Sequence, residues 1–253
     1  MSEMIKISTN KNIKSKPEII TNDIRMSIFE HIEELRHRTI KSVIFFIITT
    51  SMSFAYVKDI AYLLKEPALG VKFLQLAPGE YFFSSIKISS YTGLIISSPF
   101  ILYQIVLFIL PGLTVKETSF FLPILISSIS LFFIGIYFSF TILTPAALHF
   151  FINYGSEIVE PIWSFEQYFD FILILLVSTG LVFQIPIIQI IIGLLEIISS
   201  KQMLYYWKYI LLFSTIISAI LTPSTDPITQ ILLSTAMLAL YFSGILVLKF
   251  FNK

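Results

Sequence analysis

The sequence predicts an all-α integral membrane protein with six transmembrane helices, and three observations carry that expectation. Hydrophobic residues make up 56% of the 253-residue chain and charged residues only 13%, about half the charged share of an ordinary soluble domain. Mean hydropathy is +0.85. The apolar residues fall in long blocks, several of them reaching the about 20 residues a helix needs to cross the hydrocarbon core.

The chain divides into a polar tail, residues 1–26, and a membrane domain, residues 27–253. The tail carries Lys6, Lys11, Lys14, Lys16 and Arg25 beside Glu3, Glu18 and Asp23. It has no apolar core and no small-residue cleavage site, so it reads as a solvated, disordered segment rather than a signal or transit peptide. The spans are expected at Ile40–Val57, Ile86–Leu110, Phe120–Thr144, Phe169–Leu195, Tyr209–Leu221 and Ile228–Leu248. The fourth contains Gln184 and Pro186. The fifth is short: 13 residues cover only about 20 Å of a hydrocarbon core about 30 Å thick. Its flanking Tyr205, Tyr206, Trp207 and Lys208 suit snorkelling to the interface, and a short span also recruits partner helices.

Helix-start chemistry agrees with these boundaries. Ser27-x-x-Glu30, Thr114-x-x-Glu117, Ser164-x-x-Gln167 and Ser199-x-x-Gln202 are capping boxes, in which a hydroxyl and an acid or amide satisfy each other's orphan backbone donors. In "TPSTDPITQ" (222–230), Asp226 is placed as an N-cap with Pro227 at the first helical position. Six spans put both termini on one side. That side holds thirteen of the seventeen Lys and Arg residues, against four on the other, so both termini are cytoplasmic, or stromal in a plastid. The two long loops of the opposite, lumenal or periplasmic side are rich in Pro and aromatics, which predicts ordered caps on the bundle.

Several function classes are excluded. Net charge is +1, which gives no reason to expect nucleic acid binding. With no cysteine, disulfides, thiolate metal sites and cysteine nucleophiles are ruled out. His31 and His37 lie six residues apart, a poor spacing for one helix face, and His149 has no serine motif near it. No phosphate-binding loop or haem motif is present. No cofactor or metal is expected, and the chain is not expected to be an enzyme.

The informative stretch is "MSIFEHIEELRHRTIKSVIFF" (26–46). Ile28, Ile32, Leu35 and Thr39 form one helical stripe, expected to lie along the membrane surface before the chain turns into the first span. Glu30, Glu34 and Arg38 fall at i,i+4 spacing on a neighbouring face. Self-pairing there is worth only about 0.3–0.5 kcal/mol per pair. Yet residues 27–35 hold three acids and no Lys or Arg, at a membrane face where basic residues normally dominate. A cationic ligand fits such a cluster as well as self-pairing does.

"FEHIEELRHR" resembles the N-terminal signature of the TatC family, the polytopic subunit of the twin-arginine protein translocase. "SSPFILYQIVLFILPGLTVKE" (97–117), "FIGIYFSF" (133–140), "LVFQIPIIQ" (181–189) and "SAILTPSTDPITQ" (218–230) continue the resemblance in order. It implies a receptor for signal peptides with two consecutive arginines. It also implies assembly with single-span TatA/TatB-like subunits and further copies of the chain in a lipid bilayer, with transport of folded cargo driven by the proton gradient. Glu34 and Glu117 match the family's acids and would contact the two guanidinium groups; Leu35, Arg36 and Arg38 would shape the patch. Phe108, Pro111 and Leu113 match the motif that precedes the second acid.

The capping box of Thr114 is an equally sufficient reason for Glu117. Gln184 stands where the family pattern carries Glu; it would contact a partner helix or glue two spans of its own chain together. Asp226 and Gln230 match a partner-contacting turn, although N-capping alone explains Asp226. Glu80 resembles a recurrent acid of the first long loop. The form of the opening motif and the Ile- and Phe-rich composition favour a plastid-encoded protein of the thylakoid membrane, over a bacterial or mitochondrial inner membrane. A small proton-coupled secondary transporter is the alternative, suggested by Pro99, Pro145 and Pro186 within spans. Against it, ionisable residues in mid-span are nearly absent.

Overall fold

The structure, a computed structural model, describes residues 28–68, 71–109, 120–155, 162–222 and 226–250. The tail 1–26 falls outside these. The first span is a single helix, α1 (Ile28–Ala55), which continues without a break through the charged opening stretch. This corrects the expectation of a surface helix that turns into the span. No Pro or Gly lies between residues 28 and 55, so nothing in the backbone chemistry interrupts the helix. The bend comes at the other end. There α2 (Val57–Lys65) leaves α1 at 79°, and its Val57, Ile60, Ala61 and Leu64 face the core.

The second span, α3 (Glu80–Ile109), runs back antiparallel to α1. The third is α4 (Phe121–Phe138), a π-turn at Ser139–Leu143, and α5 (Thr144–Gly155). Pro145 has no N–H for the carbonyl four residues back, and the wider π-turn absorbs that missing bond. The fourth span is α6 (Phe165–Val182) followed by α7 (Ile185–Leu194), joined at Phe183–Gln184 with Pro186 in the first turn of α7. After a short α8 (Ser200–Tyr205) come the fifth span, α9 (Trp207–Leu221), and the sixth, α10 (Pro227–Phe250). Four spans are long and apolar enough to cross a membrane unaided, and the bent α1–α2 pair makes a fifth. With only 15 residues, α9 completes the six as the short one. Exposed Tyr205, Tyr206 and Trp207 stand at its start.

The α6–α7 span is the axis of the bundle. Its most apolar stretch is 72% buried, against 22–39% for the other long spans. Phe169, Ile172, Leu173 and Leu175 are closed off from solvent, and Leu175 and Phe183 meet Leu143, Leu233 and Met237. Between helices in lipid the driving force is close packing rather than hydrophobicity, and small residues supply the approach. Gly93 lies against the Thr50 backbone, Gly180 against Phe132, and Gly193 against Leu248.

On the side away from the N-terminus, the described parts of the two long loops meet each other. Strands β1 (Lys72–Leu74) and β2 (Ile162–Ser164) pair in parallel, Phe73 opposite Trp163. Glu80 fastens them. One carboxylate oxygen accepts from the Leu76 and Ala77 amides. The other accepts from Ser164 Oγ at 2.8 Å and the Glu166 amide at 3.0 Å. Lys87 bridges Glu166 (2.7 Å) and Asp170 (2.8 Å), and the Tyr168 hydroxyl donates to Leu64 O at 2.7 Å.

Candidate recognition site at the α1–α3 seam

The antiparallel packing of α1 on α3 brings the start of one helix beside the end of the other. Arg38 is the hub. Its Nε donates to Glu34 Oε1 at 2.8 Å, its Nη2 donates to the same oxygen, and its Nη1 donates to Gln104 Oε1 at 3.2 Å. The guanidinium therefore engages only one oxygen of Glu34. The other, Oε2, is shielded from solvent and has no hydrogen-bond partner among the described residues. His31 Nδ1 lies 3.8 Å from it. The His31 ring stacks on Phe108 from α3, with centroids 4.2 Å apart and planes at 16°.

Below this cluster a groove of about 340 Å³ runs between the helices, walled by Leu35, Thr39, Phe46, Ile101, Gln104 and Phe108. Glu34 does not line the groove, but its neighbour Leu35 does; apolar walls next to a carboxylate suit the aliphatic stem and charged head of an arginine. Local sequence explains the arrangement. Glu34 and Arg38 share a face at i,i+4, and Gln104 and Phe108 share one on α3.

The expected site residues thus divide. Glu34, Arg38, Leu35 and Phe108 come together; Arg36 stands exposed beside them. Pro111, Leu113 and Glu117 lie outside the described residues. Sequence reading missed Gln104 and His31. Gln104 had a signal: it is the one amide or charged side chain between Ile101 and Leu110, and it is buried.

The residues expected to meet a partner helix are engaged within the chain. Gln184 Oε1 accepts from Ser128 Oγ at 2.6 Å, and its Nε2 donates to Ser128 O at 3.0 Å. The amide therefore glues the fourth span to the third, the second of its two expected roles. Asp226 caps α10, accepting from the Thr229 amide at 2.8 Å and from Thr229 Oγ1 at 2.6 Å. Gln230 Nε2 donates to Thr215 O at 3.3 Å, tying α10 to α9.

Fold and site define a class: a polytopic helical membrane protein with a buried polar cluster between two helices. Among the described residues no three metal-binding side chains cluster. The chain belongs to the TatC family, whose model, described as Sec-independent protein translocase protein (TatC), matches residues 30–235. The tatC-like protein ycf43 of Gracilaria tenuistipitata var. liui is 62% identical over 96% of this chain and 100% of its own length. TatC of Synechocystis sp. is 48% identical over 92% of each chain. The chloroplastic protein TATC of Oryza sativa subsp. japonica is 49% identical over 92% of this chain and 65% of its own. A crystal structure of the twin arginine translocase receptor TatC superposes with a TM-score of 0.78 at 35% identity, covering 88% of this chain and 100% of that one. The protein is accordingly a multi-pass subunit of a Sec-independent translocase, and the secondary-transporter alternative falls away.

Proposed function

We propose that this subunit is the signal-peptide receptor of its translocase and that Glu34 is the carboxylate that meets an arginine of the signal. The observation that carries the reading is that Glu34 Oε2 has no hydrogen-bond partner among the described residues, while the neighbouring Leu35 lines the α1–α3 groove. Arginine suits it better than lysine because its fork of donors reaches a partly engaged carboxylate from several directions. Glu117, eight residues beyond Ile109 in sequence, is the second acid of the pair, and Leu35 and Phe108 are the walls for the arginine stems. Pro111 and Leu113 shape the approach to Glu117.

Single-span TatA/TatB-like subunits and further copies of this chain complete the translocase, with the proton gradient as energy source. The short α9, whose Leu212, Phe213, Ile216 and Ile220 are exposed, is a surface suited to partner helices. The thylakoid membrane is the proposed location, supported by likeness to a chloroplastic and a cyanobacterial protein.

The test is binding of a synthetic signal peptide with consecutive arginines, and of its Lys–Lys counterpart, to the full chain in lipid nanodiscs. Glu34→Gln is expected to cost the Arg–Arg peptide about 2 kcal/mol or more and to remove its advantage over Lys–Lys. Unchanged discrimination in that variant would sink the reading.

A further inference from the structure

Gln104 is the least explained residue of the seam. It is a long polar side chain, only 7% exposed, in an apolar helix, and burying such a group without purpose is costly. Its contact with Arg38 is directional. A guanidinium only donates, so the atom 3.2 Å from Arg38 Nη1 is the amide oxygen acting as acceptor. This bond takes up one terminal nitrogen of Arg38. The Nε and Nη2 nitrogens then both converge on Glu34 Oε1.

An arginine beside a carboxylate has a better arrangement open to it, the two-nitrogen, two-oxygen fork. In that fork Arg38 would occupy both oxygens of Glu34 and neutralise the acceptor from within the chain. The structure holds Arg38 off that geometry, and Glu34 Oε2 is left with no hydrogen-bond partner among the described residues.

We propose that Gln104 is a positioning residue for arginine recognition: it restrains Arg38 so that Arg38 orients Glu34 without quenching it, and thereby determines specificity for arginine over lysine. The proposal rests on the reading of Glu34 as the arginine-contacting acid. It adds a residue on a different helix and an internal competitor, Arg38, for the same carboxylate. An incoming arginine completes the carboxylate's coordination through Oε2. A lysine, a single-point donor, gains less from the same oxygen.

The experiment uses the full chain in nanodiscs and the Arg–Arg and Lys–Lys peptides, and measures the ratio of their affinities. Gln104→Leu, similar in size but without an acceptor, is expected to lower Arg–Arg affinity roughly tenfold and Lys–Lys affinity far less, collapsing the ratio. Gln104→Glu restores an acceptor oxygen and is expected to keep the ratio. Combining Gln104→Leu with Arg38→Met is expected to add no loss to that of Arg38→Met alone, because the restraint then has nothing to restrain.

Equal weakening of both peptides by Gln104→Leu would mean simple loss of packing and would overturn the proposal, as would no effect at all. If Gln104→Leu does not fold, Gln104→Asn answers the same question, since its shorter side chain withdraws the acceptor from Arg38 while staying polar. Discrimination retained by Gln104→Asn would likewise overturn it. Glu34→Gln, run alongside, separates the two levels. An active Glu34 with an inert Gln104 defeats only the positioning role, whereas an inert Glu34 defeats the recognition reading together with it.

Discussion

Substituting Gly93 by alanine tests whether the α1–α3 seam is held by direct backbone approach. A Cβ at Gly93 would lie 2.7 Å from Thr50 Cα, 2.8 Å from Thr50 N and 2.3 Å from Thr50 Oγ1. The hydroxyl can rotate away; the Cα and amide nitrogen cannot. Ordinary contact starts at 3.4 Å, so the two helices must part locally by about 0.7 Å. That separation takes the bond from Thr49 Oγ1 to Gly93 O, now 3.0 Å, beyond hydrogen-bonding reach.

Overpacking of this kind costs about 1–3 kcal/mol, and a lost hydrogen bond between membrane helices about 0.6 kcal/mol. At about 2–4 °C per kcal/mol for a chain of this size, the melting temperature should fall by roughly 3–14 °C. The assay is thermal unfolding in one detergent, followed by circular dichroism. Gly193→Ala is the comparison: the three atoms nearest its added methyl all belong to the Leu248 side chain, which is fully buried but can shift where backbone cannot, so its decrease should be smaller. A Gly93→Ala protein that melts with the wild type, or a Gly193→Ala protein that melts lower still, would refute the reasoning.

Two more predictions concern polar contacts elsewhere in the fold. Ser128→Ala leaves the buried Gln184 oxygen without its hydroxyl donor and should cost about 1–3 kcal/mol. Adding Gln184→Leu should recover much of the loss; a double variant less stable than Ser128→Ala would contradict the pairing. Glu80→Gln keeps the size but weakens the acceptor shared by the first loop and the start of α6, so hydrogen exchange should accelerate at residues 72–77 and 164–167 together. Acceleration in one loop alone would show that Glu80 does not join them.

The span count and several boundaries were legible because their causes are local. The Ser199–Gln202 capping box forms as the sequence implies, Ser164 caps α6, and Asp226 caps α10. The continuity of α1 was misjudged because a charged stretch within an apolar run looks like an interface. Helix geometry depends on breakers, and there were none. The bend that does occur was readable in part, since Val57, Ile60, Ala61 and Leu64 repeat with helical period on one face. The β1–β2 pairing was not readable: two strands of three residues each, far apart in the chain, carry no local signal of their register. The Glu34–Arg38 pairing followed from i,i+4 spacing, and their place in the site from the family resemblance. Gln104 escaped because its partner sits 66 residues away.

On the proposed reading, the seam joins stability to recognition in a way neither helix achieves alone. Gly93 and Gln104 lie on the same helix, eleven residues or about 17 Å apart. At the first, backbone meets backbone; at the second, a buried amide reaches across to Arg38. Close approach at Gly93 fixes the distance between the helices, and that distance decides whether Gln104 can span it. Were the helices to part by the about 0.7 Å that a methyl group at Gly93 demands, a rigid displacement would stretch the 3.2 Å contact past hydrogen-bonding range. Arg38 would then close on both oxygens of Glu34. A glycine outside the recognition site is thus expected to control whether its carboxylate stays open. Gly93→Ala should reduce discrimination between arginine and lysine peptides even at temperatures where the variant remains folded. Full discrimination by the folded variant would show instead that the end of the seam is positioned independently of its middle.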